Sequence, residues 1–261
     1  VFKHFFSLDP LVSKPYSNEE TYRDLFYQTS KNIYKEVDKY ENLINFKISK
    51  SWIDDLALTT QITIKNNELC YAHGRVLYSA LRYRINNLNS KENLTILETG
   101  TAKGFSALCM AKALDDNISY GKIYTIDQLP HSSEIYWNSI SDHLSGKITR
   151  KELLKNWSKL IHKYIIFLHG DSRTTLDGIH FSRVHFAFLD GCHTYKDVFF
   201  EFNSIKNFQF YGDMIIFDDY THDLYDGVVR AVDEICKNNN YDKKLIYIND
   251  KRSVLIATKS K

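Results

Sequence analysis

Near the start of the chain, Tyr22, Leu25, Phe26, Ile33, Val37, Tyr40 and Ile44 recur at helical spacing through a polar background, which predicts a helical first third with one apolar face. A second helical stretch carries Leu69, Val76, Leu77, Ala80, Leu81, Ile85 and Leu88 on one face and reaches Asn86-Asn87 near its end. Beyond it the period changes. Short β-rich runs at Thr95 to Leu97, Lys122 to Ile126, Tyr164 to Leu168, Val184 to Leu189 and Asp213 to Phe217 alternate with helical ones, the pattern of a parallel sheet covered by helices. Two last runs, Lys244 to Ile248 and Ser253 to Thr258, are separated only by Asn249 to Arg252. That is too short for a crossover helix and suits a hairpin, so the sheet should end in an antiparallel pair. The long stretch 128–163, with helical spacing around Leu153, Leu154, Trp157, Leu160 and Ile161, reads as a helical insertion. The expected organisation is an α/β domain over 71–261 carrying that insertion, preceded by a helical extension over 1–70.

Composition narrows the partners. The 261 residues are 43% hydrophobic, enough for one full-sized core, and no Gly/Ser or Pro-rich linker divides them. Formal net charge is +2, with 34 basic and 32 acidic residues interspersed. No basic stripe advertises nucleic acid or an anionic membrane surface, so the partner should be a small molecule. No apolar run is long enough to span a bilayer and Val1 to Asp9 lack the regions of a signal peptide, which makes the cytoplasm the expected location. Cys70, Cys109, Cys192 and Cys236 form no CxxC pair, against a structural zinc site or a disulfide framework.

The strongest local signal is Ile96-Leu97-Glu98-Thr99-Gly100-Thr101-Ala102-Lys103-Gly104-Phe105-Ser106, a strand, a glycine turn and a helix start. Gly100 and Gly104 let the backbone approach a ligand around Thr101. The free N–H groups of the helix start favour a negative or polar ligand group, and Ser106 could cap the helix or donate to that group. Downstream, Asp127 ends the second strand, where a nucleotide-binding sheet needs an acceptor for ribose hydroxyls. At the end of the third strand, Asp171 and Ser172 either contact an adenine or cap the next helix. The fourth and fifth strands both end in carboxylate, at Asp190 and at Asp218-Asp219. Adjacent parallel strands bring all three to one edge, where a cation would offset their repulsion. A hard ion such as Mg²⁺ fits, and it could bind a substrate hydroxyl and lower its pKa. His193 could then take the proton, alongside Asp190 as a catalytic residue. Trp137, Trp157 and Tyr136 either line an acceptor pocket or belong to the core.

With these motifs the chain from about Tyr71 to Thr258 resembles class I S-adenosylmethionine-dependent methyltransferases, in particular the macrocin-type sugar O-methyltransferases. The likeness rests on Glu98-Thr99-Gly100 with Gly104, Asp127, Gly170-Asp171-Ser172, Asp190-Gly191-Cys192-His193-Thr194-Tyr195, and Gly212-Asp213 through Asp218-Asp219-Tyr220. It implies a Rossmann-like seven-stranded sheet, mostly parallel, with a terminal antiparallel hairpin. It also implies that Glu98 and Gly100 border the methionine part of the cofactor, that Asp127 holds ribose, and that Asp171 and Ser172 lie near adenine. Asp190, Asp218 and Asp219 would bind Mg²⁺ and His193 would supply the base, for methyl transfer to a sugar or sugar-containing small molecule. Two positions depart from the pattern: Ala102 replaces a glycine of the first motif, and Cys192 stands where some relatives carry an acidic residue. Phenolic and nitrogen acceptors, an inactive cofactor-binding scaffold and a homo-oligomer stay open. A nicotinamide-dependent dehydrogenase is disfavoured, because the turn is not GxGxxG.

Overall fold

The computed structural model describes residues 14–88 and 92–261. Three helices, α1 (Glu19–Thr29), α2 (Lys35–Ile44) and α3 (Lys50–Thr60), precede α4 (Ala72–Asn86). The alternating part runs β1 (Leu94–Thr99), α5 (Phe105–Asp116) and β2 (Gly121–Asp127). The insertion follows with α6 (Ile140–Ser145), α7 (Arg150–Leu153) and α8 (Ser158–Tyr164). Then come β3 (Ile165–His169), α9 (Ser172–Asp177), β4 (Phe186–Leu189), α10 (Tyr195–Ile205), β5 (Met214–Phe217), α11 (His222–Asn238), β6 (Tyr241–Asn249) and β7 (Arg252–Lys259). Among the described residues no helix is long and apolar enough to cross a membrane.

The seven strands form one sheet in the order β3-β2-β1-β4-β5-β7-β6, with β7 antiparallel to β5 and to β6. Period-two alternation sorts the strand side chains between two faces. Ile96, Phe186, Phe188, Met214 and Ile216 join the core under α4, α5 and α8, while Leu97, Ala187, Leu189, Ile215 and Phe217 join the core under α9, α10 and α11. Because the middle strands are buried on both faces, they read in the sequence as continuous apolar runs.

Two expectations change. The periodic stripe of the first third is broken at residues 30–34, where the chain turns between α1 and α2, and Ile33 is exposed on that turn instead of packing. Polar Ser30, Lys31 and Asn32 supply no apolar contact to continue the helix, and the Ser30 N–H already closes α1 on Phe26 and Gln28. The third strand begins at Ile165, because Tyr164 ends α8. A small third core joins extension to insertion: Tyr22, Ile62 and Leu69 pack with Ile140.

Candidate functional site

At the carboxyl end of β1 the chain turns through Gly100 and enters α5 at Gly104, both left-handed at φ +88° and +93°. A Cβ on Gly100 would stand 2.3 Å from the carbonyl oxygen of Asp190, so the close approach of the β4 loop requires glycine there. Ala102 is also left-handed, at φ +44°, which explains why the motif ordinarily carries glycine at that position. Its N–H donates to Asp127 Oδ2 at 2.6 Å, and the Leu129 N–H donates to Oδ1 at 2.6 Å. These two bonds aim the Asp127 carboxylate at the turn and leave half of its acceptor capacity for a ligand hydroxyl. Burial pushes the carboxyl above its usual range, although both N–H groups and the Arg150 charge pull the other way.

Sequence placed Glu98, Thr101 and Ser106 beside the ligand; the structure turns their side chains inward. Glu98 is fully buried and accepts hydrogen bonds from Ser106 Oγ and Thr125 Oγ1, while Thr101 Oγ1 meets Thr125 Oγ1 at 2.5 Å. Burial pushes the Glu98 carboxyl up to about 7 against those two hydroxyls. These residues tie β1, β2 and α5 together beneath the turn. Asp171 caps α9, accepting from the Arg173 N–H at 2.9 Å, and also accepts from Gln128 Nε2 at 2.6 Å. The Ser172 hydroxyl is near enough to Glu201 to oppose the rise that burial imposes on its carboxyl. The capping alternative therefore describes Asp171, at the same edge as the glycine turn.

The β4–β5 register pairs Leu189 with Phe217, so the next residues, Asp190 and Asp218, leave the sheet side by side. Their side chains part company. Asp218 is buried and forked by Arg252 of β7, whose Nε lies 3.3 Å from Oδ1 and whose Nη2 holds Oδ2. Burial alone would raise the Asp218 carboxyl, but the Arg252 charge outweighs it and holds the group below its usual range. In place of the expected triad of carboxylates, Asp190, His193 and Asp219 come together, with one donor atom of each within 4.8 Å of the others. His193 Nε2 lies 2.9 Å from Asp219 Oδ2 and 3.5 Å from Asp190 Oδ1, and its ring stacks on Tyr225 at 4.6 Å. Asp219 reaches this position from a left-handed backbone, φ +52°, a conformation a non-glycine residue adopts at a cost of about 1 kcal/mol or more.

Burial and the neighbouring Asp218 charge push Asp190 up to about 7. Burial opposes a charged His193, but the close carboxylates of Asp190 and Asp219 outweigh it and push the imidazole up to about 10. With nothing else bound, the ring thus carries its proton at neutral pH. Two carboxylates and an imidazole also make a donor set that suits a divalent ion, whose charge would offset the crowding that raises Asp190.

Four cationic or imidazole residues beside the site escaped sequence reasoning: Arg252, His73, Lys65 and Lys103. Arg252 was the most accessible. Continuing the antiparallel register past Phe217 and Leu255 carries the start of β7 to the end of β5. His73 on α4 is buried, stacks on Phe188 at 6.5 Å, and is driven down to about 3 by burial and by Arg252. Lys103 is buried in the glycine turn, and its Nζ donates to the Asn138 carbonyl at 2.9 Å. Asn138 in turn accepts from Tyr22 Oη and from the Ile64 N–H, and donates Nδ2 to the Ile64 carbonyl. Extension, insertion and glycine turn are thereby latched by one buried asparagine. Trp137 and Trp157 are core residues, the Trp137 indole donating to the Ile148 carbonyl at 2.8 Å.

A family model described as a methyltransferase domain matches residues 97–220. The match runs from β1 past the end of β5 and contains the glycine turn, Asp127, Asp171, Asp190, His193 and Asp219. Among solved structures, the O-methyltransferase NovP is similar at 16% identity and TM-score 0.55, over 76% of this chain and 84% of its own. The SAH-bound methyltransferase PaMTH1 of Podospora anserina is similar at 15% identity and TM-score 0.52, over 96% and 100%. An O-methyltransferase from Bacillus cereus in complex with SAH is similar at 14% identity and TM-score 0.52, over 92% and 100%. No curated protein matches the chain. The architecture is the Rossmann-like methyltransferase fold.

Proposed function

We propose that the chain is an S-adenosylmethionine-dependent O-methyltransferase acting on a hydroxyl of a sugar or sugar-containing small molecule, with Mg²⁺ held by Asp190, His193 and Asp219. The observation that carries the reading is the packing of the Asp190 carbonyl against Gly100, which sets the carboxylate and imidazole cluster directly beside the glycine turn. A methyl donor on one side of that contact and an acceptor hydroxyl on the other would be in reach of each other. The methyltransferase-domain match over these residues supports the reading, as do the O-methyltransferase and SAH-bound neighbours.

S-adenosylmethionine supplies an activated methyl group. The chain's own residues do the rest. Asp127 would accept from the ribose hydroxyls with the lone pairs that Ala102 and Leu129 leave free. The backbone from Gly100 to Gly104 would line the cofactor, and the N-terminus of α5 would favour the polar end of its amino-acid part. Asp190, His193 and Asp219 would hold a divalent ion, which when bound makes an acceptor hydroxyl more acidic and fixes its orientation. Arg252 keeps Asp218 ionised and out of this donor set. With charge drawn from Asp190 and Asp219 by the ion, His193 would return toward its neutral form, the form whose Nε2 lone pair can ligate that ion.

The high proton affinity of His193 favours a second, metal-free reading, in which the ring stays charged beside Asp219 and Asp190, raised to about 7, takes the acceptor proton at Oδ1. Titration with S-adenosylhomocysteine, with and without Mg²⁺, tests the cofactor; a screen of sugars, phenols and amines before and after chelation tests the rest. Saturable binding followed by chelator-sensitive turnover on a sugar supports the first reading. Turnover indifferent to chelation selects the second, and failure to bind S-adenosylhomocysteine overturns both.

A further inference from the structure

We propose that the acceptor carries an anionic group, carboxylate or phosphate, received by Lys65 of the N-terminal extension. The inference rests on the methyl-transfer reading and names the acceptor class of the same site. Lys65 follows Ile64, whose N–H and carbonyl are both bonded at 2.9 Å to the buried side chain of Asn138. That double bond fixes where the Lys65 backbone stands. Asn138 also takes Lys103 of the glycine turn on its carbonyl, and Glu68 meets Asn249 at the end of β6, so the 64–68 segment runs between the glycine turn and the β6–β7 hairpin, where Arg252, Cys70, Asp219 and Asp218 act on the Lys65 ammonium. Its own charge is felt in turn by His73 and Lys103. The extension has therefore delivered a cation over the acceptor side of the site.

Among the described residues that cation has no ion-pair partner, and no hydrogen bond reaches the Lys65 ammonium. The two nearby carboxylates are engaged elsewhere, Asp218 in the fork of Arg252 and Asp219 against His193. A half-buried ammonium next to a guanidinium, with no carboxylate of its own, is unfavourable by itself. An incoming anion would remove the mismatch. Lys65 also lines a cavity of about 520 Å³ between α1 and the 63–69 loop, large enough for a small molecule. Thr21, Gln28, Asn32 and Thr63 give that cavity uncharged hydrogen-bonding walls suited to a hydroxylated body. The one carboxylate on it, Glu68, takes a hydrogen bond from Asn249 at 3.3 Å.

The test uses the full chain loaded with S-adenosylhomocysteine, titrated calorimetrically with inorganic phosphate and with acetate at constant ionic strength. Saturable binding of either anion is expected, the stronger of the two identifying the group. Lys65→Met should weaken it about tenfold or more while Lys65→Arg retains it, since a charge-assisted bond is lost in one and kept in the other. S-adenosylhomocysteine affinity and Tm should hold or rise in Lys65→Met, because the variant removes an unpaired charge; a merely structural lysine would lower Tm. Absence of saturable anion binding, or binding unchanged in Lys65→Met, overturns the inference while leaving the methyl-transfer reading intact. Failure of S-adenosylhomocysteine to bind removes both.

Discussion

Two clusters of charge sit at opposite ends of β4 and β5, and they are built on different principles. At the amino end, the fully buried Asp213 accepts four bonds: Arg84 Nη2 at 2.7 Å and Arg183 Nη2 at 3.0 Å on Oδ1, and Arg183 Nε at 3.0 Å and the Phe210 N–H at 2.7 Å on Oδ2. Arg183 continues to Glu92, which lies 3.2 Å from His185 Nε2, while His185 Nδ1 accepts from the Thr95 N–H. Every lone pair of Asp213 has a donor. At the carboxyl end only Asp218 is matched in this way. Asp190, His193 and Asp219 crowd two carboxylates around one ring, and among the described residues Lys65 forms no ion pair of its own. The amino-end network, in which only Arg84 Nε and His185 Nε2 find no hydrogen-bond partner among the described residues, locks strands together; the open one keeps charge in reserve for something that binds. Buried polar groups are normally satisfied, so a cluster left open at the ligand edge of an α/β sheet marks a place where binding completes the set.

The contrast can be broken most sharply at Asp219. Asp219→Asn should lower methyl transfer by roughly 10²- to 10⁴-fold, with urea denaturation unchanged or shifted to higher stability. Loss of stability comparable to the loss of rate would mean that the carboxyl end is structural after all. Asp213→Ala reverses the signature. It leaves the buried Arg84 guanidinium without its carboxylate and Arg183 with Glu92 alone, and should cost about 3–5 kcal/mol of unfolding free energy. S-adenosylhomocysteine affinity, measured well below the melting temperature, should not change.

Proton linkage sharpens the comparison. Glu98, Asp190 and Glu201 are buried at the carboxyl side and each is pushed up to about 7, chiefly by burial. The folded chain therefore keeps protons that the unfolded chain has already lost, and stability should fall as pH rises from about 4.5 to about 7. Glu201→Gln should flatten that fall by at most about 3 kcal/mol, read from urea midpoints across the range. The smallest expected effect is at the glycine turn. Ala102→Gly relieves a left-handed alanine and should stabilise by about 0.4–1 kcal/mol in the same assay, with the Asp127 bond retained.

The strands were legible because each is a short apolar run buried on both faces, and such a run carries its own signature. So was the glycine turn: Gly100 and Asp127 follow or end strands, Gly104 opens α5, and the bonds of Asp127 to Ala102 and Leu129 span few elements. Local capping made Asp171 equally readable in either of its two roles. The broken first helix was less legible, since Ile33 keeps helical spacing with residues it never meets. Its exposure follows from a turn that three polar neighbours permit but do not announce.

What the sequence alone determined, then, is the class of sheet, its terminal hairpin and the edge at which carboxylates gather, because periodicity and strand-end position are properties of neighbouring residues. Only the tertiary structure decided how those carboxylates divide. Asp218 goes to an arginine 34 residues away on β7, Asp219 turns to His193 through a left-handed backbone, and Lys65 arrives from an extension latched by Asn138, 74 residues from Ile64. Charge pairing falls steeply with distance and ignores position along the chain. Which of three adjacent aspartates is neutralised and which is left to bind is therefore settled by packing, after the fold has brought distant cations to the edge.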